Sequence, residues 1–315
     1  MKICHASWIR PITRVASDKF SLPVALGVTI AAWASSFPAI KAVTPDFGPG
    51  ALALLRFMVA SAVVMGLALV HRIRLPAVRD LPTVLALGVF GTVIYQVALN
   101  AGERTATAGA ASIVSNSTPV FTTVFAAVFL REKPRVRSWV GVVVGFVGVL
   151  LVVAGASGVR GINWGVLLVL VAALSWSIWF LIQKKLLNRY HPLELACYGI
   201  WSGTLMLLFF SPSLVTNLST ATVSAIFTVV YLGVVPTGVA YATWAYVLSR
   251  LPASRATTFL YLTPVISVAL SWVWLHELPS ILTLAGGGVV LGGIGLTTTV
   301  RAQMEIEAGK INGDR

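Results

Sequence analysis

The chain has 315 residues, of which 57% are apolar and 10% charged, whereas water-soluble domains carry about 25% charged residues. Lipid is therefore the solvent to reason in, and a soluble fold is excluded. The net charge of +13 does not point to nucleic acid, because the basic residues sit in alternate connections rather than in one patch.

Residues 1–21 are basic and mixed. They lack the apolar core and small-residue cleavage site of a signal peptide, and read as a cytoplasmic N-terminal segment. Each crossing takes roughly 20 apolar residues. That unit predicts helices over 22–43, 49–70, 81–101, 105–130, 138–156, 164–184, 193–211, 223–248, 254–275 and 280–300, with a cytoplasmic tail over 301–315. The connections are too short for a separate soluble domain. Runs of this length argue against a membrane β-barrel, whose strands show about ten residues of alternating hydrophobicity. Nineteen of the 23 Lys and Arg fall in the N-terminal segment, alternate connections and the tail. The opposite connections hold only Lys41, Arg104 and Arg160, and Arg56 lies inside a helix. The positive-inside rule then puts both termini in the cytoplasm of an inner-membrane protein, which an even number of crossings satisfies. Cys4 and Cys197 lie in a tail and a helix, so neither a disulfide framework nor a metal site is expected.

The sequence also repeats itself. TPVFTTVFAAVFLREKP (118–134) recurs as TPVISVALSWVWLHELP (263–279), 145 residues later. The same offset carries Thr92 onto Thr237, and Gly141 and Gly148 onto Gly286 and Gly293. An offset of 143 carries Trp33, Phe37, Lys41 and Pro49 onto Trp176, Phe180, Lys184 and Pro192. Five helices per copy is an odd number, so the second copy enters the membrane upside down. The expected fold is an all-α membrane protein of ten transmembrane helices in two inverted five-helix repeats, residues 22–156 and 164–300. Inverted repeats characterise secondary transporters, whose sites lie at the repeat interface near the bilayer midplane.

Trp-Ala-Ser-Ser-Phe-Pro-Ala-Ile-Lys (33–41), the Pro49 to Phe57 segment ending Leu-Leu-Arg-Phe, and the two Thr-Pro…Glu-x-Pro blocks resemble EamA domains. The resemblance covers about residues 22–300 and points to the drug/metabolite transporter superfamily. It implies ten helices with both termini inside, and export of amino acids or related metabolites. A flippase, or a carrier of a lipid-linked or nucleotide-type solute, is the alternative it also tolerates.

Within that frame, polar and aromatic residues inside the spans are the candidates for the pathway. Trp33, Phe37 and Lys41 form one stripe at i, i+4 and i+8; Trp176, Phe180 and Lys184 repeat it. Lys41 breaks the charge pattern of its side, which suits a gate, although its stem also suits snorkelling to the headgroups. Ser35 and Ser36 suit bonding back to carbonyls one turn earlier. Arg56 is the charge well inside a span; intramembrane charges are costly and functional by default. Pairing with Asp46 and binding of an anion or carboxylate are both open for it. Tyr95, Gln96 and Asn100 on the third helix, Asn116 on the fourth, Tyr241 and Trp244 on the eighth and Tyr261 on the ninth need hydrogen-bond partners. These are either neighbouring helices or a shared cavity. Together with Trp179 they suit a cavity lined by helices 1, 3, 4, 6, 8 and 9. Pro38, Pro119, Pro236 and Pro264 are the hinge candidates. Helices 5 and 10, rich in glycine, pack at the periphery or in a homodimer contact. Trp139, Trp201, Trp272 and Trp274 suit the lipid interface.

Glu132 and Glu277 end helices and suit caps or loop pairing. No Asp or Glu falls in the middle of a predicted span, so a buried proton-coupling carboxylate is not expected. His276-Glu277 begins a zinc-protease signature, but Ser280 stands where the second His belongs. With no Walker or dinucleotide loop either, the expectation is a transporter and not an enzyme, needing no cofactor. Its partners are a small-molecule substrate and membrane lipid.

Overall fold

The computed structural model describes residues 18–129, 136–157, 163–187, 189–250 and 259–296. The described residues are helical and contain no strand. In chain order, α1 is Asp18–Val43, α2 Pro49–His71 and α5 Val136–Ser157, followed by α6 Trp164–Leu186. The third helix, α3 (Val78–Glu103), carries a π-helical turn at Val89–Ile94. The fourth, α4 (Ala108–Phe129), is interrupted between Ser115 and Thr118. Next come α7 (Pro192–Thr220) and α8, built from Val223–Leu232, a π-helical turn Gly233–Val239 and Ala240–Arg250. The last two helices, α9 (Leu262–Leu275) and α10 (Ile281–Leu296), are shorter.

The eight helices α1 to α8 are long and apolar enough to cross a bilayer. The molecule is a multi-pass integral membrane protein. The expected ninth span, 254–275, begins outside the described residues, and the tenth, 280–300, ends outside them. Glu132, the basic residues of 131–135 and both charged termini also lie outside them.

The two π-helical turns occupy repeat-equivalent places, Thr92 in one and Thr237 in the other. Pro236 explains one of them. It has no N–H to give the carbonyl four residues earlier, and the Thr237 hydroxyl donates to Leu232 O instead, at 2.9 Å. The break in α4 has the same chemistry. Pro119 cannot serve Ser115 O, and the Thr118 hydroxyl donates to it at 2.7 Å. By contrast, α1 runs through Pro38 without a break.

Contacts between connections sort the helix ends into two sets. At one end, Thr222 N donates to Asp46 Oδ1 at 2.8 Å and Gly48 N to Asn217 Oδ1 at 2.9 Å. At the other, Arg189 Nη1 donates to Asp80 Oδ1 at 2.8 Å and Tyr190 OH to Asp80 Oδ2 at 2.9 Å. Asp46 and Arg189 stand 143 residues apart, so one repeat position ties a loop to the start of α8 in one half and of α3 in the other. We call the two ends by Lys41 and Lys184.

Glycines bring the backbones of α5 and α10 into direct contact. A Cβ on Gly148 would lie 2.5 Å from Val290 N, and one on Gly293 would lie 2.5 Å from Gly145 N. Small residues that let backbones touch are how membrane helices associate. Gly145, Gly148, Gly286 and Gly293 thus pack α5 on α10, while Gly288, Gly292 and Gly295 meet nothing within 4 Å. The outer face of α5 exposes Trp139, Val143 and Leu150, as a lipid-facing surface should. Trp272 and Trp274 are exposed likewise, whereas Trp201 is half-buried. Gly148→Ala is expected to destabilise by about 1–3 kcal/mol through overpacking. Gly292→Ala, which meets nothing within 4 Å, should be neutral or slightly stabilising. Thermal unfolding in detergent compares the two.

Candidate functional site

Between the halves lies a cavity with walls from α1, α2, α3, α4, α6, α7, α8 and α9, and with no residue of α5 or α10. Thus α2 and α7 join the six helices expected from sequence. Among the lining residues is Arg56, only 4% exposed. Its Nε donates to Thr237 Oγ1 at 2.8 Å and its Nη1 to Gln96 Oε1 at 3.2 Å. The hydroxyl that receives it is the one the proline-driven turn of α8 points at Leu232 O. Pro236 and Arg56 are therefore one construction: the turn makes the acceptor, and the acceptor aims the guanidinium. Pairing with Asp46 is not what the structure has, because Asp46 is taken by Thr222 N at the Lys41 end. Among the described residues no carboxylate pairs with Arg56, and it keeps N–H donors for something else.

The other half solves the same position differently. Gly199 is the repeat equivalent of Arg56, and a Cβ there would meet Trp179 Nε1 at 4.0 Å. Trp179 is in turn the equivalent of Ser36. One half thus pairs a large α2 side chain with a small α1 residue, and the other reverses the sizes. Thr92 Oγ1 donates to Gly199 O at 3.3 Å, so the π-helical turn meets the adjacent helix in both halves.

Two aromatic groups wall the cavity. Trp33 packs on Tyr241 and Trp244 with centroids at 6.0 and 5.4 Å, and its Nε1 donates to Pro236 O at 3.0 Å. Opposite, Trp176 stacks on Trp179 at 4.3 Å and lies 4.5 Å from Tyr95, with Phe180 edge-on. Such walls offer apolar contact and π faces for a cation.

The cavity reaches towards the Lys184 end, where Gln183, Pro192, Leu260 and Tyr261 line it. It stops short of the Lys41 end. There Lys41 Nζ donates to Glu103 O at 2.7 Å and Ala106 O at 2.9 Å, and lies 4.0 Å from Glu277 Oε1. Glu277 Oε2 accepts from Ala108 N at 3.1 Å. A cation on the last carbonyls of α3 and an anion on the first amide of α4 both suit the helix dipoles. Lys41 is tied to protein rather than reaching for headgroups.

Of the residues singled out from sequence, Trp33, Ser36, Phe37, Arg56, Tyr95, Gln96, Asn116, Trp176, Trp179, Phe180, Tyr241, Trp244 and Tyr261 line this cavity, as does Pro119. Lys41 and Asn100 do not. Pro236 lies in the turn behind Arg56, Pro264 in the first turn of α9, and Pro38 within α1. Sequence reasoning missed Leu99, Ser115, Thr118, Gln183, Pro192, Ala196, Leu260 and Thr263 on the walls. It also missed Glu103. That carboxylate falls two residues beyond the predicted span, yet α3 runs through it and buries it completely. Thr237 carried a sequence signal, because it repeats Thr92 and comes directly after a proline. Thr237→Val would strand Leu232 O and Arg56 Nε, and is expected to lower stability by about 1–3 kcal/mol. Thr237→Ser keeps the hydroxyl and should not; melting in detergent distinguishes them.

The EamA-like transporter family matches residues 22–154 and again 163–299. The chain is 37% identical to the uncharacterized transporter YdfC of Bacillus subtilis, covering 85% of this chain and 88% of that protein. It is 38% identical to a probable terminal-alkyne amino-acid exporter of Streptantibioticus cattleyicolor, over 86% and 91%. The inner membrane transporter YedA of Escherichia coli, also uncharacterized, is 22% identical over 76% and 78%. One crystal structure shares the fold with a TM-score of 0.58 at 20% identity, covering 90% of this chain and 99% of that one. The family and these relatives are transporters and not enzymes.

Proposed function

This chain belongs to the EamA-like transporter family, and on that premise we propose that it exports amino acids or related carboxylate-bearing metabolites by alternating access. In this reading all ten helices cross the cytoplasmic membrane as two inverted five-helix repeats, with both termini inside. The alternation of basic connections supports that orientation. The state with its Lys41 end closed and its cavity reaching the Lys184 end is then inward-facing, and rocking of the halves exchanges the two.

The observation that carries the reading is Arg56. A guanidinium held in a mostly apolar cavity by two neutral partners, with no carboxylate paired to it among the described residues, has its remaining donors for a carboxylate brought by the solute. The aromatic walls suit an ammonium group and an apolar side chain. The amino-acid exporter among the relatives supports the same class.

The test is uptake of labelled L-amino acids by liposomes holding the purified chain, against protein-free liposomes. Saturable exchange of at least one amino acid is expected. If no small solute moves while a labelled lipid flips, the exporter reading fails and the flippase reading replaces it.

A further inference from the structure

Glu103 is the last residue of α3 and 0% exposed, and neither of its carboxylate oxygens has a hydrogen-bond partner among the described residues. Asn100, nearly one turn earlier, is 1% exposed. Its Nδ2 donates to Pro49 O at 3.0 Å, while its Oδ1 is likewise without a partner. Gln96, a turn further on, lines the cavity and accepts from Arg56. Positions i, i+4 and i+7 share a helix face. A buried polar stripe therefore runs from the cavity wall to the closed Lys41 end and finishes on a carboxyl group.

Charged groups act on Glu103 from every side that carries them: Lys41 from α1, Arg56 from α2 and Glu277 from beyond α9. The neighbouring contacts from α6 at the end of α3 are Gly165 and Val169, which bring no charge. Lys41 spends its ammonium on backbone carbonyls and lies 4.0 Å from Glu277; that ammonium makes no bond to the Glu103 carboxylate. A bare carboxylate sealed from water without a donor is a costly arrangement. A bound proton removes the charge and gives the carboxyl an O–H donor, on the same helix face as the unpartnered Asn100 Oδ1.

We propose that Glu103, with Asn100 beside it, is the site that carries a coupling proton. The proposal rests on the exporter reading for what the proton is coupled to. When the Lys41 end opens, the carboxylate takes one proton from a hydronium ion on that side, one O–H bond forming as the hydronium's breaks to leave water. After the end closes, the same bond breaks and the proton leaves along the Asn100–Gln96 face to the cavity. The solute moves the other way, and no electron changes hands.

Dicyclohexylcarbodiimide tests this on the full chain without any solute. A buried, protonated carboxyl adds its O–H across the carbodiimide and keeps every atom as an N-acylurea, which peptide mass spectrometry locates. The adduct is expected on Glu103 at acid pH, about tenfold less once the pH passes well above the group's titration, and unchanged by sodium chloride. Liposomes holding the wild-type chain and loaded with mixed L-amino acids should take up protons down an imposed pH gradient, read by an enclosed pH dye, and should do so more slowly without that load. Glu103→Gln should abolish both signals. No adduct on Glu103, an adduct indifferent to pH, or one suppressed by sodium overturns the proposal, the last in favour of a sodium site. Labelling as expected with no amino acid transported would sink the exporter reading and leave the proton site standing.

Discussion

Arg56→Gln is expected to reduce transport by about 100-fold or more while the protein stays folded. Two charge-assisted hydrogen bonds to a solute carboxylate are worth about 1.5–3 kcal/mol each, and about 1.4 kcal/mol is a factor of ten. The fold should tolerate the loss, because removing the guanidinium also removes a buried charge whose hydrogen bonds, among the described residues, go to the neutral Thr237 and Gln96. Arg56→Lys keeps the charge but not the planar fork, and should retain about a tenth of the rate. Initial rates in proteoliposomes, beside melting curves in detergent, separate the two effects. An Arg56→Gln protein that transports at the wild-type rate would make Arg56 a structural charge.

Lys41→Met should loosen the closed end. Lys41 joins α1 to the end of α3 and the start of α4, and with Glu277 it joins them to the end of α9. Losing those charge-assisted bonds costs about 1–3 kcal/mol, which shifts the balance towards a conformation open at that end by about 10- to 100-fold. Ala106 is fully buried beneath this contact. A cysteine placed there, in a chain whose Cys4 and Cys197 are replaced by alanine, should react with an impermeant maleimide at least about tenfold faster once Lys41 is gone. Equal rates would show that the contact is not what closes the end.

Much of this arrangement was legible in the sequence, for reasons particular residues make clear. Trp33 and Trp176 repeat at the same helical phase, and both wall the cavity because each half presents the same stripe to the other. Arg56 stood out because a charge in an apolar run needs a cause. Its partner did not, because Asp46 is nearer in sequence while Thr237 lies across the molecule. The π-helical turns were hidden. Each inserts extra backbone into a helical repeat and shifts the phase of the residues beyond it, so counting apolar residues misjudges depth. Glu103 suffered most: a span drawn to stop at 101 leaves it in a connection, whereas α3 runs on and buries it. The sizes exchanged between Ser36 and Trp179, and between Arg56 and Gly199, were visible as failures of the repeat. Only the fold explains them: Gly199 leaves room for Trp179 beside it, at 4.0 Å, while Ser36 and Arg56 line the same cavity.

On the exporter reading, a solute carboxylate meets Arg56 in the cavity. The most direct test of that contact is competition in proteoliposomes between an amino acid that the wild-type chain exchanges and the matching amine lacking the carboxylate. The carboxylate-bearing partner should be transported and should inhibit in the wild type, with both effects lost in Arg56→Gln, while the amine does neither. An amine that is carried or inhibits as well as its amino acid would contradict the role given to Arg56.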